Sequence, residues 1–218
     1  MGIEKFITSN TVVEMLCLLM AGTCLWKDKS KVWKYFSFYL LIVCITELFA
    51  IYLRKVLHQN NQWPYNISII FEISFISLMF NHLFKKYING TKYIIMGLAV
   101  IFVVYMGEFY MHGFMLFNVI TNNIMSFIFS FYALYYFYVL LKDDQYVNLK
   151  FSADFWWVIG VLLFYFGTTA VDLYWGKDDI KAKRILSDYI VKVFITLLYS
   201  CWMYSFICRR WLGSTPKV

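Results

Sequence analysis

YFSFYLLIVCITELFAIYL, residues 35–53, holds a single charged side chain, Glu47, in an otherwise apolar run. A helix needs about 20 mostly apolar residues to cross ~30 Å of hydrocarbon, so this run reads as a membrane span with an acid inside it. Six further stretches read the same way, over residues 8–26, 67–84, 93–111, 114–141, 155–175 and 185–208. A transmembrane barrel would show alternating segments of ~10 residues, whereas these runs are continuous. The expectation is an all-α fold, a polytopic bundle of seven transmembrane helices forming one domain over residues 1–218.

Composition points the same way. Hydrophobic residues make up 61% of the chain and charged residues 15%, against about 45–50% and 25% in soluble domains. The fifth run is the longest, and only His112 and Gly113 separate it from the fourth. The fourth and fifth helices should therefore be antiparallel neighbours. The first run is expected to persist as a span, because Lys27, Lys29, Lys31 and Lys34 follow it, whereas a signal peptide carries its charge in front.

Lys and Arg favour the cytoplasmic side of short loops. The first, third and fifth loops and the C-terminal segment hold 12 of them; the N-terminal segment and the other loops hold 7. This bias predicts an N-terminus outside and a C-terminus in the cytoplasm. Trp26, Trp33, Trp156, Trp157, Trp175 and Trp211 fall near the predicted span ends, where an aromatic belt meets the headgroups. The net charge of +7, spread over loops, suits anionic lipid, and no basic motif points to nucleic acid. The five cysteines all lie in spans without a Cys-x-x-Cys pair and read as buried thiols.

Six acids lie inside the predicted spans: Glu14, Glu47, Glu72, Glu108, Asp172 and Asp188. An acid at the bilayer centre costs roughly 2.5–3.5 kcal/mol on insertion scales, so such groups turn towards protein or water. All six fall on one side of the membrane, as do Asn118, Asn122 and Lys192. Glu14, Glu108, Asp172 and Asp188 lie close enough to a span end for interfacial solvation, whereas Glu47 and Glu72 lie deeper. Asp188, Lys192, Thr196 and Ser200 recur every four residues and share a helix face. Tyr165, Thr168 or Thr169, and Asp172 do so on the sixth helix, where Gly160 and Gly167 permit close packing. The expectation is an outward-facing acidic cavity walled by helices two, three, five, six and seven. Its ligand-binding groups would be Glu47, Glu72, Asn118, Asn122, Asp172, Asp188 and Lys192.

Two stretches carry a resemblance. YNISIIFEISFISLMF (65–80) and FWWVIGVLLFYFG (155–167) resemble the third and sixth helices of a loose group of small bacterial seven-helix membrane proteins. That likeness implies a sensor-like or accessory role and supplies no catalytic residue. The Asp188-x-x-x-Lys192 pair resembles the last helix of microbial rhodopsins, in which such a lysine carries retinal. Here Lys192 lies in the outer third of its span, and the third helix offers only Glu72 where that family has paired acids.

Seven-helix lipid amidases of the ceramidase type hold zinc with several histidines. This chain has His58, His82 and His112, and His82 is expected at the opposite membrane side from the other two. No metal and no cofactor is therefore expected. The favoured role is a receptor-like or sensory accessory protein of a bacterial inner membrane. Its cavity would take a small cationic or zwitterionic ligand, or protons, and its partners would be the bilayer and a cytoplasmic or membrane protein. The alternatives are a small transporter or channel using the same cavity, and a metal-free intramembrane lipid hydrolase.

Overall fold

The computed structural model describes residues 8–143, 148–175 and 181–212, and among them are seven α-helices and no strand. They are α1 (Ser9–Leu25), α2 (Lys31–Lys55), α3 (Trp63–Phe84), α4 (Thr91–His112), α5 (Val119–Lys142), α6 (Ala153–Trp175) and α7 (Lys181–Ile207). A short π-helical turn, Cys208–Leu212, ends α7. Six of the seven helices are long and apolar enough to cross a membrane; α1, with 17 residues, is apolar but shorter. This is the architecture of a multi-pass membrane protein.

The outer surface fits lipid. Leu19, Phe38, Phe102, Val103, Phe131 and Phe166 are between 61% and 69% exposed. Contiguous apolar surface of that kind drives association in water and meets no penalty against hydrocarbon. A groove of about 560 Å³ between α4 and α5 belongs to this surface. Met96, Val100, Ile128 and Phe131 line it, and it presents no charged group.

The helices start and stop where local chemistry dictates. The Thr8 hydroxyl caps α1 by accepting from the Thr11 N–H at 3.2 Å. Pro64 sits in the first turn of α3. That position is natural, because proline lacks only an N–H that the first turn leaves unpaired in any case. Gly113, at φ +69°, terminates α4, and its N–H donates to the Phe109 carbonyl at 3.0 Å.

The fifth helix departs from the sequence reading. It begins at Val119, so residues 114–118 are a connector instead of a first turn. Asn66, fully buried on α3, captures that connector. Its Nδ2 donates to the Phe114 and Leu116 carbonyls at 2.9 and 2.7 Å, and its Oδ1 accepts from the Asn118 N–H at 3.1 Å. The Asn118 side chain does not cap α5. Glu108 of α4 does so instead, accepting from Ile120 N–H at 2.9 Å and Thr121 N–H at 2.7 Å.

The helices close into a ring in the order α1, α2, α3, α5, α6, α7, with α1 packed on α7. Helix α4 lies outside it against α3 and α5, as the short turn predicted for the α4–α5 pair. Close approach of α6 to α7 depends on small residues. A Cβ on Gly160 would stand 3.0 Å from Cys201 Cβ, and one on Gly167 would stand 2.4 Å from the Phe194 ring.

The two ends of the bundle differ in chemistry. We call the end at which α1 begins the near end; the Asn66 and Glu108 contacts lie there. At the far end, Asp28, between α1 and α2, accepts from Arg209 Nε at 2.7 Å and from Arg209 NH2 at 3.1 Å. The Arg209 guanidinium also covers the Trp33 ring at 5.2 Å. Arg210 donates to the Thr23 carbonyl, and Lys86 pairs with Asp154. Burial opposes ionisation of Asp28, but hydrogen bonds from Arg209 and the Ser30 N–H outweigh it. They hold its carboxyl below the usual aspartate range.

Candidate functional site

A cavity of about 370 Å³ lies inside the ring, between the near end and mid-bundle. Its walls are α1, α2, α3, α6 and α7, each contributing residues at helical spacing. Asn10 and Glu14 are one turn apart on α1; Tyr39, Val43 and Glu47 follow the same rhythm on α2; Tyr65, Ser68 and Glu72 do so on α3. Tyr165 from α6 and Leu198 and Tyr199 from α7 complete the wall.

Three carboxyl groups face this space, and among the described residues no Lys, Arg or His lines it. Two of the acids are held by tyrosines. The Tyr65 hydroxyl donates to Glu47 Oε2 at 2.8 Å, linking α3 to α2. The Tyr165 hydroxyl donates to Glu72 Oε1 at 2.5 Å, linking α6 to α3. Glu14 differs. It is 7% exposed, and its Oε2 has no hydrogen-bond partner.

Towards the far end the cavity stops at an aromatic floor. Tyr39 stacks on Phe75 with centroids 4.4 Å apart and planes 10° apart. Tyr199 meets Trp202 edge-on at 5.6 Å. Below them Phe36 contacts Phe75, Trp202 and Phe206, each at 4.8 Å. Rings at these separations pack against one another and close the cavity towards the far end.

Of the seven residues expected from sequence to bind, the structure brings Glu47 and Glu72 to one cavity. The other five lie elsewhere. Asn118 is buried, with its backbone N–H bound to Asn66, and Asn122 accepts the Ser126 hydroxyl on its carbonyl at 2.8 Å. Helix α5 contributes nothing to the cavity wall, which corrects the expectation that it would; α1 takes that place. Asp172, Asp188 and Lys192 are exposed. The stripe of Asp188, Lys192, Thr196 and Ser200 exists, and every member is exposed. Further along α7, Leu198, Tyr199 and Trp202 are buried and pack inward, because their large apolar surface fills the bundle. The Lys192 ammonium lies 5.6 Å from the Tyr189 ring centroid.

Spacing alone was available to find Glu14, since Asn10 and Glu14 are four apart. Its nearness to the span end hid it. Glu108 is buried in the same depth zone, but both its oxygens are engaged in capping α5. Among the described residues, no three His, Cys, Asp or Glu side chains converge as a metal-binding set. His82 lies in the last turn of α3, whereas His58 precedes α3 and His112 ends α4, so the histidines sit at opposite ends of the bundle.

Fold and site together define a multi-pass helical membrane protein with an internal acidic and tyrosine-rich cavity. No protein-family model matches this sequence, and no curated protein or solved structure matches it either.

Proposed function

We propose that this chain is a receptor-like or sensory accessory protein that binds a small cation in the cavity of Glu14, Glu47 and Glu72. In this reading the chain crosses a bacterial inner membrane seven times, with its N-terminus outside and its C-terminus in the cytoplasm. The 17 residues of α1 extend about 26 Å at 1.5 Å per residue, close to the hydrocarbon thickness, and its flanking residues complete the crossing. The lysine and arginine bias then turns the near end, and the cavity, to the outside.

The observation that carries the proposal is the lining: three carboxyl groups, four tyrosines and, among the described residues, no base. Anionic groups in a partly dry pocket favour a cation, and tyrosine rings add to that preference through their negative faces. A volume of about 370 Å³ suits a small organic molecule. The aromatic floor supports a binding role over a conduit, because the rings of Tyr39, Phe75, Tyr199 and Trp202 close the cavity towards the far end.

The test is thermal unfolding of the detergent-purified chain with a panel of small amines, amino acids and alkali cations. At 100 times its Kd, a ligand adds about 2.7 kcal/mol of stability. For a chain of this size that raises Tm by roughly 5–10 °C. At least one cation in the panel should do so saturably, and the Glu47→Gln and Glu72→Gln double variant should lose the response. A panel without any cationic stabiliser overturns the proposal. Accumulation of the bound cation inside proteoliposomes would replace the receptor reading with transport.

A further inference from the structure

We infer that Glu14 is the anchoring group of the cavity, and that the cation it takes is a protonated primary or secondary amine. The inference rests on the cation-binding reading above and adds to it both the residue and the ligand class.

The three carboxyls are not equivalent. Glu47 and Glu72 each already accept an O–H, from Tyr65 and Tyr165. Those bonds fix their orientation and occupy acceptor capacity. Glu14 lines the same space, more than nine-tenths buried, with Oε2 lacking any donor. A buried acceptor without a donor is a standing penalty of about 1–3 kcal/mol, more when charged, and Glu14 Oε2 opens on a cavity from which a donor outside the chain would remove it.

The missing partner is a hydrogen-bond donor, and the carboxyl-rich lining, with no base among the described residues, asks that it be positive. An ammonium N–H meets both demands at once, in a charge-assisted bond of the strong kind. A quaternary ammonium carries the charge but no N–H and leaves Oε2 unpaired. A metal ion is a poorer fit, since Glu14, Glu47 and Glu72 do not converge as a ligand set. Tyr39 and Tyr199 line the same cavity as Glu14 and offer ring surface to the carbon skeleton beside the nitrogen.

The test uses benzylamine and benzyltrimethylammonium, a pair matched in charge and ring and differing in N–H donors. Calorimetric titration of the full chain in detergent should show benzylamine binding at least ten-fold more tightly than its trimethyl analogue. Glu14→Gln should weaken benzylamine at least ten-fold and change the trimethyl compound less than three-fold. Equal affinities for the two probes in the unmodified protein overturn the inference without any variant being needed, and so does a Glu14→Gln protein that keeps benzylamine within three-fold. Failure of both probes to bind also overturns it. If another cation of the wider panel still binds in that case, the cation cavity stands and only its anchor and ligand class fall.

Discussion

Glu108 tests whether an intramembrane acid in this chain can be structural instead of ligand-binding. Its two oxygens accept from the second and third N–H groups of α5, at 2.9 and 2.7 Å, and the residue is 4% exposed. Those N–H groups have no intrahelical partner, and the Asn118 side chain makes no capping bond. Glu108→Ala leaves both donors unpaired, that of Thr121 buried and that of Ile120 part-buried. Loss of a cap costs about 0.5–2 kcal/mol and one buried unsatisfied donor about 1–3, so the total is roughly 1.5–5 kcal/mol. At about 2–4 °C per kcal/mol for a chain of 150–250 residues, Tm should fall by roughly 3–20 °C. Glu108→Gln keeps one acceptor oxygen and should fall between Ala and the native protein. Thermal unfolding in detergent, followed by intrinsic fluorescence, reads the shift. Cation affinity of the surviving folded protein should be unchanged, because Glu108 is not in the cavity wall. A Glu108→Ala protein within about 2 °C of the original, or one that stays folded and loses cation binding, refutes the capping role.

Two further outcomes follow from the ends of the bundle. Asp28 has a lowered carboxyl pKa, so its stabilising contribution is full above the ordinary aspartate value of about 3.9 and is lost as pH falls through the lower folded value. Asp28→Asn should destabilise at pH 7 by about 1.5–3 kcal/mol, the worth of a hydrogen bond to a charged group, with the gap closing below pH ~4; a gap independent of pH between 7 and 3 would remove the ion pair from the explanation. Lys192→Met and Asp188→Asn, both on the exposed face of α7, should each change stability by less than about 1 kcal/mol; a Tm loss above ~5 °C for either would show that this stripe faces protein after all.

The helices were legible because a lipid-facing helix must be apolar over most of its length, and runs such as residues 35–53 meet that demand without help from tertiary structure. The start of α5 was not. Phe114, Met115, Leu116 and Phe117 are as apolar as a helix requires, and nothing local marks them as a connector. A distant side chain, Asn66, decides the matter by taking two carbonyls and an N–H that a helix would otherwise use. The depth of the acids was also legible, and Glu47 and Glu72 do share the cavity. The face they turn to was not. A four-residue polar stripe fixes a helix face but not the direction of that face. On α7 the bulk of Leu198 and Trp202 fills the ring, and Asp188 and Lys192, nearer the helix start, are exposed. Tyrosine partners went unread because spacing within one helix says nothing about Tyr65 reaching Glu47 across 18 residues of chain, or Tyr165 reaching Glu72 across 93.

A receptor-like role demands that occupancy near one membrane surface be read at the other, and the distribution of contacts says which helices are placed to carry it. Helix α2 holds Glu47 and Tyr39 in the cavity, Phe36 in the aromatic layer below, and Trp33 under the Arg209 guanidinium. Helix α7 holds Tyr199, then Trp202 and Phe206, and leads into Arg209 itself. Both helices therefore run unbroken from the cavity to the far-end clamp. The layer between them is close-packed, with Phe36 in edge contact with both Trp202 and Phe206, so it resists piecemeal deformation and couples α7 to α2. Helices α4 and α5 stand apart from this path. Glu108 and Asn66 tie their near ends to each other and to α3, and neither helix lines the cavity. Helices α1, α2 and α7 are joined at the far end by Asp28, Arg209 and Arg210, so a signal read there would pass along α2 and α7 and not along α4 or α5.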